Sequence, residues 1–303
     1  MVDKAVIPAA GIGSRLLPLS RALPKEMLPI GDMPVIEHTV RELVASGITE
    51  ILIVVSGRKA LVQQHFAPDA GLEAELRASG KEELARRVAE VHGLARISFA
   101  YQDGPYGNGT PVLDAAARWP GETFVVLWPD DLFLGPTPRT RQLLDAHQAT
   151  GAPVIALQSI DRADTPMYGV PVVTADLGRG RVRVSGLVEK PHPTAAPSEY
   201  GAIGGYVITP GVATVLRRQL DRWHERPTGE LYLTHALHEF AGRHPVYGQV
   251  VDGTWWDTGT VPGYLRAQLA YAGSHPGYSA ALRPVAAEPD APREQSAAAA
   301  RRP

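Results

Sequence analysis

Near the start of the chain stands the stretch KAVIPAAGIGSR, residues 4–15, in which an apolar run leads into small residues and then into a cation. The apolar run predicts a strand, and the small residues allow the backbone after it to approach a ligand, with N–H groups that can hold a phosphate. The loop is not a dinucleotide fingerprint, because Leu16 stands where that motif needs a third small residue. It also lacks the Gly-Lys-Ser/Thr of a P-loop. A strand-to-helix turn without a ligand would explain the glycines equally well.

The first half of the chain alternates strand-like and helix-like patterns. Residues 51–55 form a continuous apolar run, typical of a strand that is covered on both faces, and residues 97–101, 124–127 and 154–157 are similar. A helix is expected to begin after Pro34 and to end at Gly47. This alternation predicts an α/β fold with a mostly parallel, Rossmann-like sheet that is sandwiched by helices.

The second half is richer in strands. Residues 168–173, 181–188 and 202–208 are strand-like, and helical patterns return at residues 212–220, 231–240 and 261–272. We therefore expect one domain over residues 1–273, with a smaller β-rich part inserted in its second half. Residues 274–303 contain few large apolar side chains, so we expect a flexible tail there.

Composition limits the classes of function. The formal net charge of −2 over 303 residues argues against nucleic acid or an anionic membrane as the main partner. The absence of cysteine excludes disulfides, thiolate catalysis and cysteine-ligated zinc. The sequence shows neither a signal-peptide pattern nor an apolar run of the ~20 residues that a membrane-spanning helix needs. We expect a cytoplasmic protein.

Charged residues follow several of the predicted strands and loops. Lys25 lies between two prolines that lock an extended loop, which makes it a candidate triphosphate ligand; otherwise it is a solvated surface lysine. Asp130 ends an apolar run, so it is expected at the carboxyl edge of the sheet, where such folds bind ligands and where carboxylate oxygens suit Mg²⁺. Its alternative role is to cap the following turn.

Two further segments end in charged residues. Glu189 could accept sugar hydroxyls while Lys190 neutralises a phosphate, or the pair could simply end an edge strand in solvent. Asp257 could be a second metal carboxylate, or Asp257 or Thr258 could be the N-terminal cap of the helix that follows. The ten histidines show no metal-ligand spacing. A sugar phosphate is largely dianionic at neutral pH and needs no general base, and phosphoryl transfer relies on positioning and on cations.

Taken together, these segments resemble the sugar-1-phosphate nucleotidyltransferase family, and most closely its bacterial UTP–glucose-1-phosphate uridylyltransferases. The resemblance covers about residues 4–272, with the segments in the family's order. The matching segments are AGIGSR at 10–15, PKEMLP at 24–29, Asp130, YGV at 168–170, VEKP at 188–191, GELYLT at 229–234 and DTG at 257–259.

The resemblance implies an enzyme that condenses a nucleoside triphosphate with a sugar-1-phosphate, with UTP and glucose-1-phosphate favoured, Mg²⁺ as cofactor and pyrophosphate as the second product. It implies a nucleotide-binding half at about residues 1–150, a sugar-phosphate-binding half at about 151–273, and a homo-oligomer. The implied catalytic residues are Arg15, Lys25 and Lys190. The implied nucleotide-binding residues are Ala9, Ala10, Gly11, Gly13, Glu26, Gln102 and Gly107, and Gln102 would read a pyrimidine through its amide donor and acceptor. Gly169, Glu189 and Lys190 would bind the sugar phosphate, and Asp130 and Asp257 the metal.

The chain departs from the uridylyltransferase pattern in two places. YGNGTP at residues 106–111 stands where those enzymes usually carry KGLGHA, and GTVPGY at 259–264 stands for GNKxGY. The second departure is closer to the thymidylyltransferase branch, so a thymidylyltransferase or another nucleotide and sugar specificity remains an alternative.

Two rivals from other classes are a metal-dependent glycosyltransferase and a non-catalytic regulator that binds sugar nucleotides. The glycosyltransferase would be expected to carry Asp-x-Asp, whereas this chain has Asp130-Asp131. The regulator would not need to retain the set Arg15, Lys25, Asp130, Lys190 and Asp257.

Overall fold

The computed structural model of the chain describes residues 1–282. Within them, thirteen strands alternate with nine α-helices. The strands are β1 (Lys4–Ala9), β2 (Pro29–Ile30), β3 (Met33–Pro34), β4 (Glu50–Val55), β5 (Arg96–Tyr101), β6 (Phe124–Leu127), β7 (Asp131–Leu134), β8 (Val154–Ser159), β9 (Gly169–Asp176), β10 (Arg181–Glu189), β11 (Tyr200–Ile208), β12 (Val246–Val250) and β13 (Thr254–Asp257). The helices are α1 (Val35–Ala45), α2 (Ala60–Phe66), α3 (Ala70–Ala78), α4 (Glu82–Gly93), α5 (Gly109–Arg118), α6 (Arg139–Thr150), α7 (Pro210–Glu225), α8 (Leu233–Ala241) and α9 (Val261–Ser274).

Nine of these strands form one large sheet, in the order β5-β4-β1-β6-β11-β8-β12-β10-β9. Strands β5, β4, β1 and β6 are parallel neighbours, and β12 is parallel to β8. Strand β11 runs against both of its neighbours, as does β10. Seven of the nine strands therefore point the same way, which confirms the predicted α/β fold with a mostly parallel sheet. The β-rich second half of the chain extends this sheet.

The continuous apolar strands arise because both faces of the sheet are covered. In β1, Ala5, Ile7 and Ala9 pack into the core on one face, and Val6 packs into the core on the other. Successive side chains of a strand point to opposite faces, so a strand between two cores is apolar at every position. Helices α1, α2 and α6 cover the first face, and α5, α7 and α8 cover the second.

Strands β7 and β13 form a separate two-stranded sheet, and only three residues separate the end of β6 from the start of β7. The pairing is antiparallel and places Asp131 opposite Asp257. Just beyond the pair, Thr258 donates its backbone N–H and its hydroxyl to the carbonyl oxygen of Asp130, at 2.9 and 2.6 Å. Two segments 128 residues apart in sequence are thereby held side by side.

Behind β7 lies a buried network of ion pairs around Arg139, whose residue is 0% exposed. Its guanidinium Nη1 is 3.2 Å from Oδ2 of Asp131 and donates to the carbonyl oxygen of Ile203 at 2.8 Å. Its Nη2 is 3.2 Å from Oε2 of Glu42. Glu42 also accepts the backbone N–H and the hydroxyl of Thr140. The network ties α1, α6, β7 and β11 together.

The first part of the expected tail follows α9 directly. Residues 275–278 form a turn and Ser279–Leu282 a short 3₁₀ helix. The ring of Tyr278 stacks on that of His275, with 4.2 Å between the ring centres. Residues 283–303, the rest of that predicted tail, lie outside the described residues. Among residues 1–282, no helix is both long enough and apolar enough to span a bilayer.

We expect Arg139→Met to lower the free energy of unfolding by about 3–5 kcal/mol, because the substitution leaves the buried Asp131 and the partly buried Glu42 without their shared partner. Arg141→Met on the same helix is the matched control. Its guanidinium pairs with Asp145 at the surface, and such a pair contributes about 0–1 kcal/mol. Equilibrium unfolding in urea measures the change in the free energy of unfolding for both variants. Equal losses for the two variants would contradict a structural role for the buried network.

Candidate functional site

A cleft of about 300 Å³ opens at the carboxyl ends of β1, β5 and β6. The loops after these three parallel strands line one side of it. The start of β9, the end of β10, the segment before α8 and the end of β13 line the other side. The cleft therefore lies at the sheet edge where open α/β folds bind ligands, as the sequence predicted for Asp130.

Eleven of the fourteen predicted site residues lie in the wall of this cleft. They are Ala10, Gly11, Arg15, Lys25, Gln102, Gly107, Asp130, Gly169, Glu189, Lys190 and Asp257. They come from seven separate segments of the chain, so the fold brings together residues that the sequence keeps far apart.

Two cation–carboxylate pairs form the floor of the cleft. Lys25 Nζ lies 2.5 Å from Oδ2 of Asp130, and Arg15 Nη1 lies 2.7 Å from Oδ2 of Asp257. A Cβ added to Gly259 would be 2.6 Å from Oδ2 of Asp130 and 2.9 Å from Oδ1 of Asp257, so these two oxygens are within about 5.5 Å of each other. The same Cβ would be 2.7 Å from Arg15 Nη2. Any side chain at position 259 would therefore intrude on both pairs.

The charges of this floor are unevenly balanced. Burial opposes the charged form of Lys25, but Asp130 and Glu26 outweigh it and raise the pKa of Lys25 to about 12. Burial also opposes ionisation of Asp130, but Lys25 outweighs it and lowers the pKa of Asp130. For Asp257, burial and the charge of Asp130 raise the pKa, and Arg15 offsets them only in part. The floor is therefore a place where additional positive charge would be stabilised.

Glu26, predicted to bind nucleotide, lies outside the cleft wall. Its side chain is fully buried, and both carboxylate oxygens are 2.7 Å from Nζ of Lys59. The 3₁₀ turn Lys25–Met27 sends Lys25 into the cleft and Glu26 into the interior. Glu26 therefore acts on the site through its charge, which helps to raise the pKa of Lys25. The sequence offered no signal for Lys59, a single lysine 33 residues away.

Ala9 and Gly13 also lie outside the cleft wall. Ala9 is fully buried in the core, because it is the last inward-facing residue of β1. Gly13 has a φ of 74°, in the left-handed region that favours glycine, and its carbonyl oxygen accepts the hydroxyl of Ser20. Both residues shape the loop, while Ala10 and Gly11 face the cleft.

Gln102 uses half of its amide within its own loop. Its Nε2 donates to the carbonyl oxygen of Pro105 at 3.1 Å and, more weakly, to that of Gly107 at 3.4 Å. If the amide were flipped, its oxygen would face the carbonyl oxygens of Pro105 and Gly107, which cannot donate a hydrogen bond. The amide oxygen is then the group that can accept from a ligand, whereas the sequence had suggested that both donor and acceptor would face the base.

The predicted sugar-phosphate residues lie close together at the other end of the cleft. Thr234 donates its hydroxyl to Oε2 of Glu189 at 2.7 Å. Lys190 Nζ is 3.5 Å from Oε1 of Glu189 and 5.4 Å from the ring centre of Tyr232. A Cβ on Gly169 would be 2.9 Å from the methyl carbon of Thr234, so the close approach of β9 requires glycine there. Thr234 and Tyr232 belong to the GELYLT segment. That segment matches the family, but the sequence did not identify either residue as part of the site.

Aromatic side chains complete the wall. Trp128 and Tyr206 both line the cleft, with ring centres 5.5 Å apart, and Tyr106 and Tyr168 line it as well. Sequence reasoning missed these four residues, because aromatic side chains near strand ends also pack in cores.

The acidic residues offer a metal two carboxylates. Within residues 1–282, no three His, Cys, Asp or Glu side chains are grouped as a complete metal site. A site of one or two carboxylates is what Mg²⁺ uses when substrate phosphates and water supply its other ligands. The donor set formed by Asp130 and Asp257 therefore fits Mg²⁺ bound together with a phosphate substrate.

An α/β sheet with a charged cleft at the carboxyl ends of its strands is typical of nucleotide-binding enzymes, and the comparison with known families identifies the class. Residues 4–274 match the family described as Nucleotidyl transferase, and the chain belongs to that family. Among curated relatives, it is similar to the UTP–glucose-1-phosphate uridylyltransferase YngB of Bacillus subtilis. The two are 39% identical over 268 residues, which cover 88% of each chain.

Solved structures with similar folds are also described as UDP-glucose pyrophosphorylases. The chain resembles a UTP-bound UGPase from Acinetobacter baumannii with a TM-score of 0.83 and 30% identity, covering 93% of this chain and 97% of the other. It resembles a UDP-glucose pyrophosphorylase complexed with UDP-glucose with a TM-score of 0.79 and 28% identity, covering 91% of this chain and 100% of the other.

Proposed function

We propose that this protein transfers the uridylyl group of UTP to glucose-1-phosphate, forming UDP-glucose and pyrophosphate. One observation carries the proposal: a single cleft joins the Arg15–Asp257 and Lys25–Asp130 pairs to the Glu189–Lys190 end. The first end has the charges that a triphosphate needs, and the second has a cation beside a hydroxyl acceptor, as a sugar phosphate needs. The choice of UTP and glucose is supported by relatives that are named for those substrates.

The reaction requires little chemistry from the protein. An oxygen of the dianionic sugar phosphate attacks the α-phosphorus of UTP, and a new P–O bond forms. The bond from the α-phosphorus to the bridging oxygen breaks, and its electron pair leaves with pyrophosphate. Lys190 orients the attacking phosphate. Arg15 and Lys25 hold the triphosphate in line and stabilise the negative charge that develops on it.

Asp130 and Asp257 would hold Mg²⁺ in this scheme. The ion, when bound, supplies positive charge that offsets the charge of the reacting phosphates. In the structure these two carboxylates pair with Lys25 and Arg15. The floor therefore keeps the residues that would hold the metal beside the cations that would hold phosphate oxygens.

The base would be read through the amide oxygen of Gln102. A pyrimidine that carries an N3–H can donate to that oxygen, and uracil and thymine share this group. They differ by one methyl, which a pocket discriminates by only ~1–3 kcal/mol. We favour UTP because the relatives are named for it, with thymidylyl transfer from TTP as the alternative. A cytoplasmic location and a homo-oligomer remain predictions from the sequence.

A matrix of nucleoside triphosphates against sugar-1-phosphates, read as pyrophosphate release, tests the function directly. We expect the highest kcat/KM with UTP and glucose-1-phosphate, a measurable rate with TTP, and low rates with ATP and GTP. A preference for a purine triphosphate would overturn the assignment of the base. Absence of turnover with every pair, together with tight binding of a sugar nucleotide, would favour the non-catalytic regulator, and sugar transfer from a sugar nucleotide would favour the glycosyltransferase.

Asp130→Asn and Asp257→Asn should each reduce turnover by about 100-fold or more and raise the Mg²⁺ concentration needed for half-maximal rate. The reason is that each variant removes a charged metal ligand, worth several kcal/mol of transition-state stabilisation. Asp252→Asn, at an exposed position just before β13, is the control. Initial rates across a Mg²⁺ titration give both parameters. A variant with near-normal turnover at low Mg²⁺ would remove its residue from the metal site.

The two lysines should separate kinetically. Lys25→Ala should raise KM for UTP, and Lys190→Ala should raise KM for glucose-1-phosphate, each by roughly 10–100-fold, the range for a lost hydrogen bond to a charged group. The exposed Lys81→Ala serves as the control. The measurement is a two-substrate steady-state analysis of each variant. If both variants change the parameters of the same substrate alone, the division of the cleft into two ends is wrong.

A further inference from the structure

The loop after β5, residues 104–109, is hydrogen-bonded to the segment that leads into α8, residues 229–234. Gly109 donates its backbone N–H to the carbonyl oxygen of Leu231 at 2.8 Å, and Leu231 donates to that of Tyr106 at 2.9 Å. Between these bonds, the side-chain Oδ1 of Asn108 accepts the backbone N–H of Leu233 at 2.8 Å. Three bonds thus join two segments that are 125 residues apart at Asn108 and Leu233.

Leu233 is the first residue of α8. The first N–H groups of a helix lack partners inside the helix, and a side chain at the N-cap usually accepts one of them. In α8 the N-cap is Tyr232, and the acceptor for Leu233 is supplied by Asn108. The start of α8 is therefore anchored from outside, by the loop that holds Gln102 in its orientation.

The anchored turn carries the groups that shape the sugar-phosphate end of the cleft. Thr234, the second residue of α8, donates to Oε2 of Glu189 at 2.7 Å. Tyr232, the N-cap, lies under Lys190 at 5.4 Å from Nζ to the ring centre. A displacement of this turn would move the partners of both Glu189 and Lys190.

The contact between the loop and the segment leaves little room for adjustment. Gly107 has a φ of 127°, and a Cβ there would collide with the backbone of Leu231. A Cβ on Gly109 would be 2.9 Å from the carbonyl oxygen of Leu231. Because the two backbones are in direct contact, a change in one is transmitted to the other.

Asn108 stands within one of the two departures from the uridylyltransferase pattern. KGLGHA carries leucine at this position, and a leucine side chain cannot accept a hydrogen bond. Thr110, where that pattern has histidine, donates its hydroxyl to the carbonyl oxygen of Pro105 at 2.8 Å, within the loop. In this chain, Asn108 fixes the loop to the start of α8, and Thr110 fixes the loop to itself.

We propose that Asn108 is a positioning residue that couples the loop of residues 104–109 to Glu189 and Lys190. It holds the first turn of α8, and through Thr234 it holds the carboxylate of Glu189 in its binding orientation. The substrates named below rest on the proposed function, while the anchoring of α8 by Asn108 does not.

The kinetic test uses three substitutions at one position. Asn108→Ala and Asn108→Leu should raise KM for glucose-1-phosphate by about 3–10-fold, the range for one net hydrogen bond, with a smaller change in kcat. Asn108→Asp should restore most of this loss, because its carboxylate accepts the same N–H and is favourable at a helix N-terminus. A change in KM for UTP alone, or equal losses in all three variants, would overturn the proposal.

A double-mutant cycle with Thr234→Val separates positioning from a direct contact between Asn108 and the substrate. If Asn108 acts through Thr234, then Asn108→Ala should add little to the KM of Thr234→Val, so that the two effects are strongly non-additive. Fully additive effects would contradict the coupling.

Amide hydrogen exchange at Leu233 tests the anchor without any substrate. Exchange should be at least severalfold faster in Asn108→Ala and Asn108→Leu than in the wild type, and it should be slowed again in Asn108→Asp. Unchanged exchange in the alanine and leucine variants would overturn the anchor. A wild-type protein without turnover on UTP and glucose-1-phosphate would instead contradict the proposed function, and the exchange rates would still decide whether Asn108 holds α8.

Discussion

The site depends on one constraint: three carboxylates, from Asp130, Asp131 and Asp257, must be held close together in a largely buried place. The pairing of β7 with β13 and the double hydrogen bond from Thr258 provide the backbone frame. Cations then balance the charge from two sides, with Lys25 and Arg15 in the cleft and Arg139 behind it. The balance is incomplete at Asp131, where burial raises the pKa well above its usual value and the charge of Arg139 offsets this only in part.

The sequence predicted the parts of this arrangement that are local. Residues 51–55 and 124–127 are apolar throughout because each strand lies between two cores, and this pattern was enough to infer a parallel sheet. Gln102 and Asp130 follow strands closely, so a parallel sheet places both of them at its carboxyl edge, independently of the contacts of distant segments. The resemblance added the distant segments, and the cleft contains most of the residues that it implied.

What the sequence could not predict depends on contacts between distant segments. Glu26 and Lys25 are adjacent, and only the 3₁₀ turn decides that one faces the interior and the other the cleft. The partners Lys59 and Arg139 are single cations without a motif, and their burial follows from the packing of whole elements. The short strands β7 and β13 are stabilised by each other and by the residues beside them, so neither has a pattern strong enough to stand out.

The departures from the uridylyltransferase pattern concern the support of the cleft more than its chemistry. In the segment 106–111, Asn108 bonds to α8 and Thr110 bonds to Pro105, the residue that also accepts the amide N–H of Gln102. In the segment 259–264, Thr260 caps α9 through the N–H of Gly263 at 3.2 Å. Glycine is retained at position 259, where the carboxylates leave no room for a Cβ. A family can exchange such supporting residues while the reacting groups stay fixed, because many side chains can anchor a loop but few can bind a phosphate or a metal.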